Sequence, residues 1–321
     1  MFIQTISAIT AAVLLGTALY LVRASRGQGK SIGRFARKLE ETQKHLTKVE
    51  KNLHLESLKL QAQLPMIEFL TKNLDTSTMK FVLSLTSHPA RFDALAQMLP
   101  TLRSQILQPQ KIYLNIYSGD SAQLPRSVRD LASEGFITIC EVEDLGPGKK
   151  LIPTLQVEQT LPIITIDDDL ILSSDLTLQL MIQHSLYPQA IIASRTHLVV
   201  RNENGAIEPF SAWQKAYNLS DGPSSELLPT SGAGTLFPAG SLHPDAINVQ
   251  KYKELSFHTD DLWWFFQARR IGTLVRRLPG YRALEFIPES QEAGLWNTGN
   301  KSRNDENLSL LIKEYGDLRG A

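Results

Sequence analysis

Pro162-Ile163-Ile164-Thr165-Ile166-Asp167-Asp168-Asp169 joins an apolar run to three consecutive carboxylates. The run reads as a buried β-strand of a parallel sheet. Packing does not explain three adjacent aspartates at its carboxyl end, where like charges repel. A cation explains them: Mg²⁺ and Mn²⁺ take oxygen ligands, commonly one or two carboxylates completed by substrate phosphates. If the segment stays extended, Asp167 and Asp169 share one face and Asp168 takes the other. The competing reading is an acidic loop, or a helix cap before Leu170 to Leu180.

Outward from this junction, strand-like and helix-like runs alternate. Lys80 to Thr86, Lys111 to Tyr117, Phe136 to Val142 and Pro162 to Ile166 read as strands; Arg91 to Gln105, Pro125 to Ser133 and Lys149 to Gln159 read as helices. Such alternation implies βαβ units, a parallel sheet and an α/β fold. Ligands of these sheets bind beyond the carboxyl ends of the strands. Three loops meet there. Ser84 to Arg91 offers Thr86, Ser87 and Arg91 to a nucleotide, or Ser87 as a cap with Pro89 in the first turn. Asp144 to Lys150 contains Gly146-Pro147-Gly148-Lys149-Lys150, whose amides and two ammonium groups suit a diphosphate; a solvated turn is the alternative. The third loop is the acidic triplet.

Two later segments carry related chemistry. In Ser231-Gly232-Ala233-Gly234-Thr235, Gly232 and Gly234 permit close backbone approach to a ligand, or simply a turn before a strand. In His258-Thr259-Asp260-Asp261-Leu262-Trp263-Trp264, Thr259 reads as an N-cap. Asp260 and Asp261 then either serve as a catalytic base or complement the helix dipole. Trp263 and Trp264 suit a sugar face or the core, and His258 reads as a cap-region histidine ahead of a third metal ligand. Trp296 to Asp305 is polar, either a lid or a tail.

The amino terminus differs in kind. Phe2 to Val22 lacks charge and is long enough for a hydrocarbon core of about 30 Å. Arg23, Arg26, Lys30, Arg34, Arg37 and Lys38 follow. The positive-inside rule then predicts a single-pass inner (cytoplasmic) membrane protein with residues 65–321 facing the cytoplasm. A lumenal arrangement would need the opposite bias, although Asn218, Asn300 and Asn307 stand in N-x-S tripeptides. Residues 35–63 place Leu39, Leu46, Leu53 and Leu60 on a seven-residue repeat, the mark of a weak homo-oligomeric coiled coil or a solvated stalk. The expected division is anchor 1–22, basic stalk 23–64 and catalytic domain 65–321. Residues 23–64 hold ten Lys and Arg against four Glu; with no charge before Arg23 and a total of zero, 65–321 carry −6. No basic patch interleaved with aromatics points to nucleic acid. The one cysteine, Cys140, reads as a core residue, and no disulfide can form within the chain.

VLSLTSHPARF, LPTLRSQILQP, GPGKKL, ITIDDDL, SGAGTLFP and HTDDLWW, in this order between about residues 79 and 315, resemble the bacterial nucleotide-sugar glycosyltransferases of the GT-A fold, family 2-like. The resemblance implies a GT-A-like mixed sheet flanked by helices and a Mn²⁺- or Mg²⁺-dependent, hexosyltransferase-like enzyme, inverting in outcome. It would move sugar from a nucleotide-sugar donor to a glycan or lipid-linked acceptor. It also implies that Asp167 faces the ribose and, with Asp169, the metal, and that Thr86, Ser87 and Arg91 frame base and ribose. Lys149, Lys150, Asp168, Gly232 and Gly234 would complete donor binding, and Asp260, ahead of Asp261, would supply the base. Two other classes fit the same residues: a metal-dependent nucleotidyltransferase and a non-catalytic, membrane-tethered scaffold.

Overall fold

The computed structural model describes residues 42–43, 76–280, 284–287 and 300–318. The chain divides into two compact units, 1–70 and 71–321. In the first, only Thr42 and Gln43 are described, both helical and exposed. The rest of the expected stalk lies outside the described residues, as do residues 296–299 of the expected lid. Among the described residues no helix is long and apolar enough to cross a membrane. The most apolar of them has eleven residues, about 17 Å of helix against the 30 Å of hydrocarbon. This corrects the expectation of a single-pass inner-membrane protein with a cytoplasm-facing domain, whose basis, residues 1–22, lies outside the described residues.

In the second unit the strands are β1 Val82–Thr86, β2 Lys111–Tyr117, β3 Thr138–Val142, β4 Ile163–Thr165, β5 Leu170–Ile171, β6 Ile191–Ala193, β7 Thr196–Leu198, β8 Leu227–Pro229, β9 Thr235–Phe237, β10 Val275–Arg277 and β11 Glu285–Phe286. Seven form one sheet in the order β3-β2-β1-β4-β9-β6-β10. β1 pairs in parallel with both β2 and β4, β2 with β3, and β6 with β10. Only β9 runs against its neighbours β4 and β6. Two small sheets, β5 with β11 and β7 with β8, complete the strands described. The result is a mixed α/β fold with a parallel-dominated sheet, consistent with a Rossmann- or GT-A-like arrangement.

The apolar runs become strands because they bury both faces. The five central residues of β2 and the first four of β1 are buried, as in parallel sheets covered on two sides. β3 lies at the sheet edge, so Cys140 is only partly buried and packs against the core rather than within it.

Helices α1 Phe92–Met98, α2 Arg126–Ser133 and α3 Ile152–Val157 fall where expected but are shorter. Pro100 has no amide to donate, so α1 gives way to a 3₁₀ segment, Leu99–Ser104. Likewise Gly146–Lys150 winds as 3₁₀ and α3 starts afresh with Pro153 in its first turn. Helices α4 Leu176–Leu186, α5 Val249–Leu255, α6 Asp260–Arg269 and α7 Asn300–Tyr315 follow. α4 packs on β6 and β9.

α6 is buried almost all round, with Gln267 and Arg269 enclosed beside its apolar side chains. Trp263 and Trp264 are both at 0 % exposure, which excludes the sugar-stacking alternative. The Trp263 indole donates to the Ala246 carbonyl at 3.0 Å, and Trp264 stacks on Tyr252 at 6.4 Å and 10°. This core fixes the start of α6, where Asp260 and Asp261 stand.

Candidate active site

The strand order reverses at β1: the chain runs outward to β2 and β3, then returns to β4 on the other side. Such a switch point opens a crevice at the carboxyl ends of the two strands. The residues leaving β1, Ser87 to Arg91, and those leaving β4, Asp167 to Asp169, meet there.

β4 ends at Thr165, and Asp168 and Asp169 lie in the turn to β5. Strand alternation therefore stops before the triplet, and the expected pairing of Asp167 with Asp169 on one face does not form. Asp168 and Asp169 share Arg91 instead. One guanidinium nitrogen donates to Asp168 at 3.0 Å and the other to Asp169. Ser87 donates its hydroxyl to Asp168 at 2.5 Å, so it is not a helix cap. Thr86 donates to the Asn115 carbonyl at 2.7 Å, tying β1 to β2 rather than facing the crevice.

Asp167 turns towards Lys150. The ammonium lies 2.6 Å from Asp167, 3.7 Å from Asp260 and 3.3 Å from the Ser231 hydroxyl. Lys149 departs from its neighbour and pairs with Asp144 at 3.1 Å, so the two ammonium groups do not form one cradle. Beneath Lys150, Ser84 donates to its carbonyl at 2.6 Å, and Asn115 donates to Ser84 and to Thr154 at 3.2 and 3.0 Å. This buried polar set locks the 3₁₀ segment onto β1, β2 and α3.

The turn Ser231–Ala233 closes the opposite side. Asp167 donates its amide to the Gly232 carbonyl at 2.8 Å. A Cβ on Gly232 would lie 1.7 Å from an Asp167 carboxylate oxygen, so no side chain fits while Asp167 holds its place. Gly234, at φ +100°, has a backbone that other residues rarely adopt. Ser231 is the residue that the sequence reading omitted. Its amide and hydroxyl donate to Asp261 at 2.8 and 2.6 Å, its hydroxyl lies 3.1 Å from Asp260, and its carbonyl accepts from Thr165 at 2.7 Å. It stood inside the glycine-rich segment, but a serine in a turn carries no signal of its partners.

Five carboxylates, Asp167, Asp168, Asp169, Asp260 and Asp261, thus face two cations, Lys150 and Arg91. Burial, opposed by Arg91, raises Asp168 to about 6. Burial and the neighbouring Asp260 raise Asp261 to about 7, opposed by Lys150. Lys150 is itself driven upward: burial works against its charge, and Asp167 and Asp260 more than offset it. Thr259 does not cap α6 with its side chain; its hydroxyl contacts Ser256 and accepts from Asn307 at 2.8 Å. His258 stands edge-on to Phe257 at 4.8 Å, and burial lowers its pKa.

Among the described residues no three His, Cys, Asp or Glu side chains converge as a ready metal cage. Asp169 is turned to Arg91 rather than to an open ligand position. The donor chemistry nevertheless suits a hard cation, because the carboxylates outnumber the cations and Mg²⁺ needs few protein ligands when phosphates supply the rest. Asp167, whose side chain is 37 % exposed, is the carboxylate on the open side.

No family model and no curated protein matches the chain. A solved structure, CMP:2-keto-3-deoxy-manno-octonic acid synthetase complexed with CTP, aligns with 69 % of this chain and 98 % of its own, at 8 % identity and a TM-score of 0.38. A likeness that loose carries no argument about activity.

Proposed function

We propose that the chain is a transferase acting on nucleotide-activated sugars, and that its reaction is glycosyl transfer to a hydroxyl. The supporting observation is the pair of charge clusters at the strand switch point, Lys150 with Asp167 and Asp260 and Arg91 with Asp168 and Asp169. The donor's nucleoside diphosphate would lie over Asp167 and Lys150. In the reaction the acceptor oxygen bonds to the anomeric carbon and the bond from that carbon to the diphosphate oxygen breaks. The electron pair leaves with the nucleoside diphosphate, and the hydroxyl proton passes to a carboxylate.

Asp261 is the better base. Raised to about 7, it is both ionised and basic near neutral pH, where general bases work best; Ser231 orients it from two donors. Lys150 is held by Asp167 and by its backbone lock, and it places fixed positive charge near the leaving group. A divalent ion held by Asp167, when bound, supplies further charge to the departing diphosphate. Arg91 fixes the turn that carries Asp168 and Asp169.

Nucleotidyl transfer is the second reading. The same residues suit a nucleoside triphosphate equally, since Lys150 and a divalent ion held by Asp167 would oppose phosphate oxygens whichever atom is attacked. Incubation with UDP-, GDP- and dTDP-sugars and Mn²⁺ tests the first reading: nucleoside diphosphate release supports it. Pyrophosphate release from a nucleoside triphosphate and a sugar supports the second. Absence of both, with no donor binding in a thermal-shift assay, overturns the enzymatic reading.

A further inference from the structure

Helix α7 is fastened along its length. Leu308 and Leu311 are buried in the core, and Asp305 accepts from the Ser211 amide at 2.9 Å. Tyr315 packs on Trp263 and Phe266 of α6, with ring centroids 6.4 Å from each. Just past the helix, buried Arg269 donates to the Leu318 carbonyl at 2.6 Å and Arg201 to Asp317 at 2.8 Å. A helix so anchored is a fixed support for whatever its exposed polar side chains reach.

One of them reaches Thr259, the residue in front of the two acids. Asn307 donates from Nδ2 to the Thr259 hydroxyl at 2.8 Å. A threonine at this position ordinarily spends its hydroxyl on an amide of the first helical turn; this one makes no such bond and lies 2.8 Å from the Ser256 hydroxyl instead. Ser256 donates to the Thr259 carbonyl at 2.9 Å, the same carbonyl that accepts the Leu262 amide at 3.0 Å and opens α6. Both Ser256 and Thr259 are buried, so water does not readily substitute for these bonds. The backbone entering Asp260-Asp261 is thus held from behind by α7, while Ser231 and Lys150 meet the carboxylates in front. We propose that Asn307 is a positioning residue: through Thr259 it fixes how the Asp260-Asp261 pair is presented to Ser231 and Lys150. The assignment deepens the glycosyl-transfer reading, on which it rests for the role of Asp261 as base.

The test uses the full-length chain. Asn307→Ala removes the link to Thr259; Asp305→Ala removes a hydrogen bond of the same helix to Ser211, away from the acids. Carboxyl-carbon NMR, with the Asp261 signal identified by its loss in Asp261→Asn, follows the acid directly among the facing charges of Asp260 and Lys150. In Asn307→Ala the Asp261 midpoint should fall by about one pH unit as the pair loosens towards water. Nucleoside diphosphate release from UDP-, GDP- and dTDP-sugars with Mn²⁺ should slow by about tenfold in kcat, with donor KM unchanged. Asp305→Ala should lower the melting temperature and leave both readings in place. Thr259→Val should match Asn307→Ala, and the double variant should be no worse than either, because the two side chains act as one link. Should Asn307→Ala fail to fold, Thr259→Val carries the same expectation from the other partner. An unchanged Asp261 midpoint and kcat in Asn307→Ala overturns the proposal, as does an Asp305→Ala chain that moves both as far. If the wild-type chain releases no nucleoside diphosphate while Asn307→Ala still moves the Asp261 midpoint, the glycosyl-transfer reading falls and the positioning of the acid pair stands.

Discussion

Asp261 carries the most exposed consequence of the site. Raised to about 7 from an ordinary 3.8, it keeps a proton in the folded protein that the unfolded chain releases above about pH 4. Its contribution is therefore most favourable at low pH and declines as pH climbs from about 4 towards 7. Asp261→Asn removes that decline. Calorimetry should find its melting temperature rising relative to wild type by about 5–10 °C between about pH 5 and pH 8, because about two pH units of that decline lie above pH 5, about 2.7 kcal/mol at about 1.36 kcal/mol each; a pH-independent difference would contradict the raised pKa. As the proposed base, the same substitution should lower transfer by about 10²–10⁴-fold. Gly232→Ala is a steric experiment, because the added methyl would meet the Asp167 carboxylate at 1.7 Å. Asp167 must swing off Lys150, and the donor Kd read by calorimetric titration should rise by about tenfold or more, about 1.4 kcal/mol.

Between β1, β2 and α3, Asn115 donates to both Ser84 and Thr154 under Lys150. Asn115→Leu removes both donors from buried hydroxyls, and urea unfolding should show a loss of about 1–3 kcal/mol. Donor KM should rise as well, because the 3₁₀ segment bearing Lys150 loses its anchor; a stability loss with unchanged KM would separate the network from the site. Much at this scale was legible in sequence. β2 was delimited to the residue because Lys111 and Tyr117 bracket an apolar run, and β1 and β4 fell within two residues at either end. The helices were overextended at Pro100 and Pro153, where missing amides convert one helix into two pieces. Asp168 was misdirected for a comparable reason: alternation holds only while the chain is extended, and the turn begins at the triplet.

Across the whole second unit, the charge left by the carboxylates predicts how the protein responds to metal. Millimolar Mn²⁺ with a nucleoside diphosphate should raise the melting temperature by about 2–4 °C over either alone, EDTA should reverse it, and Asp167→Asn should abolish it. A shift that survives in Asp167→Asn would place the ion elsewhere. The amino-acid sequence by itself determined the strands β1 to β4, the order of the loops at one end of the sheet, and the presence of acidic, basic and glycine-rich segments in them. Apolar period and turn chemistry are local, and each residue declares them through its neighbours in the chain. Tertiary structure alone decided which carboxylate meets which cation: that Arg91 bridges Asp168 and Asp169, that Lys149 and Lys150 part company, and that Ser231 holds an acid 30 residues away. Those partners are brought together by the reversal of strand order at β1, and electrostatic energy depends on separation in space, which sequence spacing does not encode.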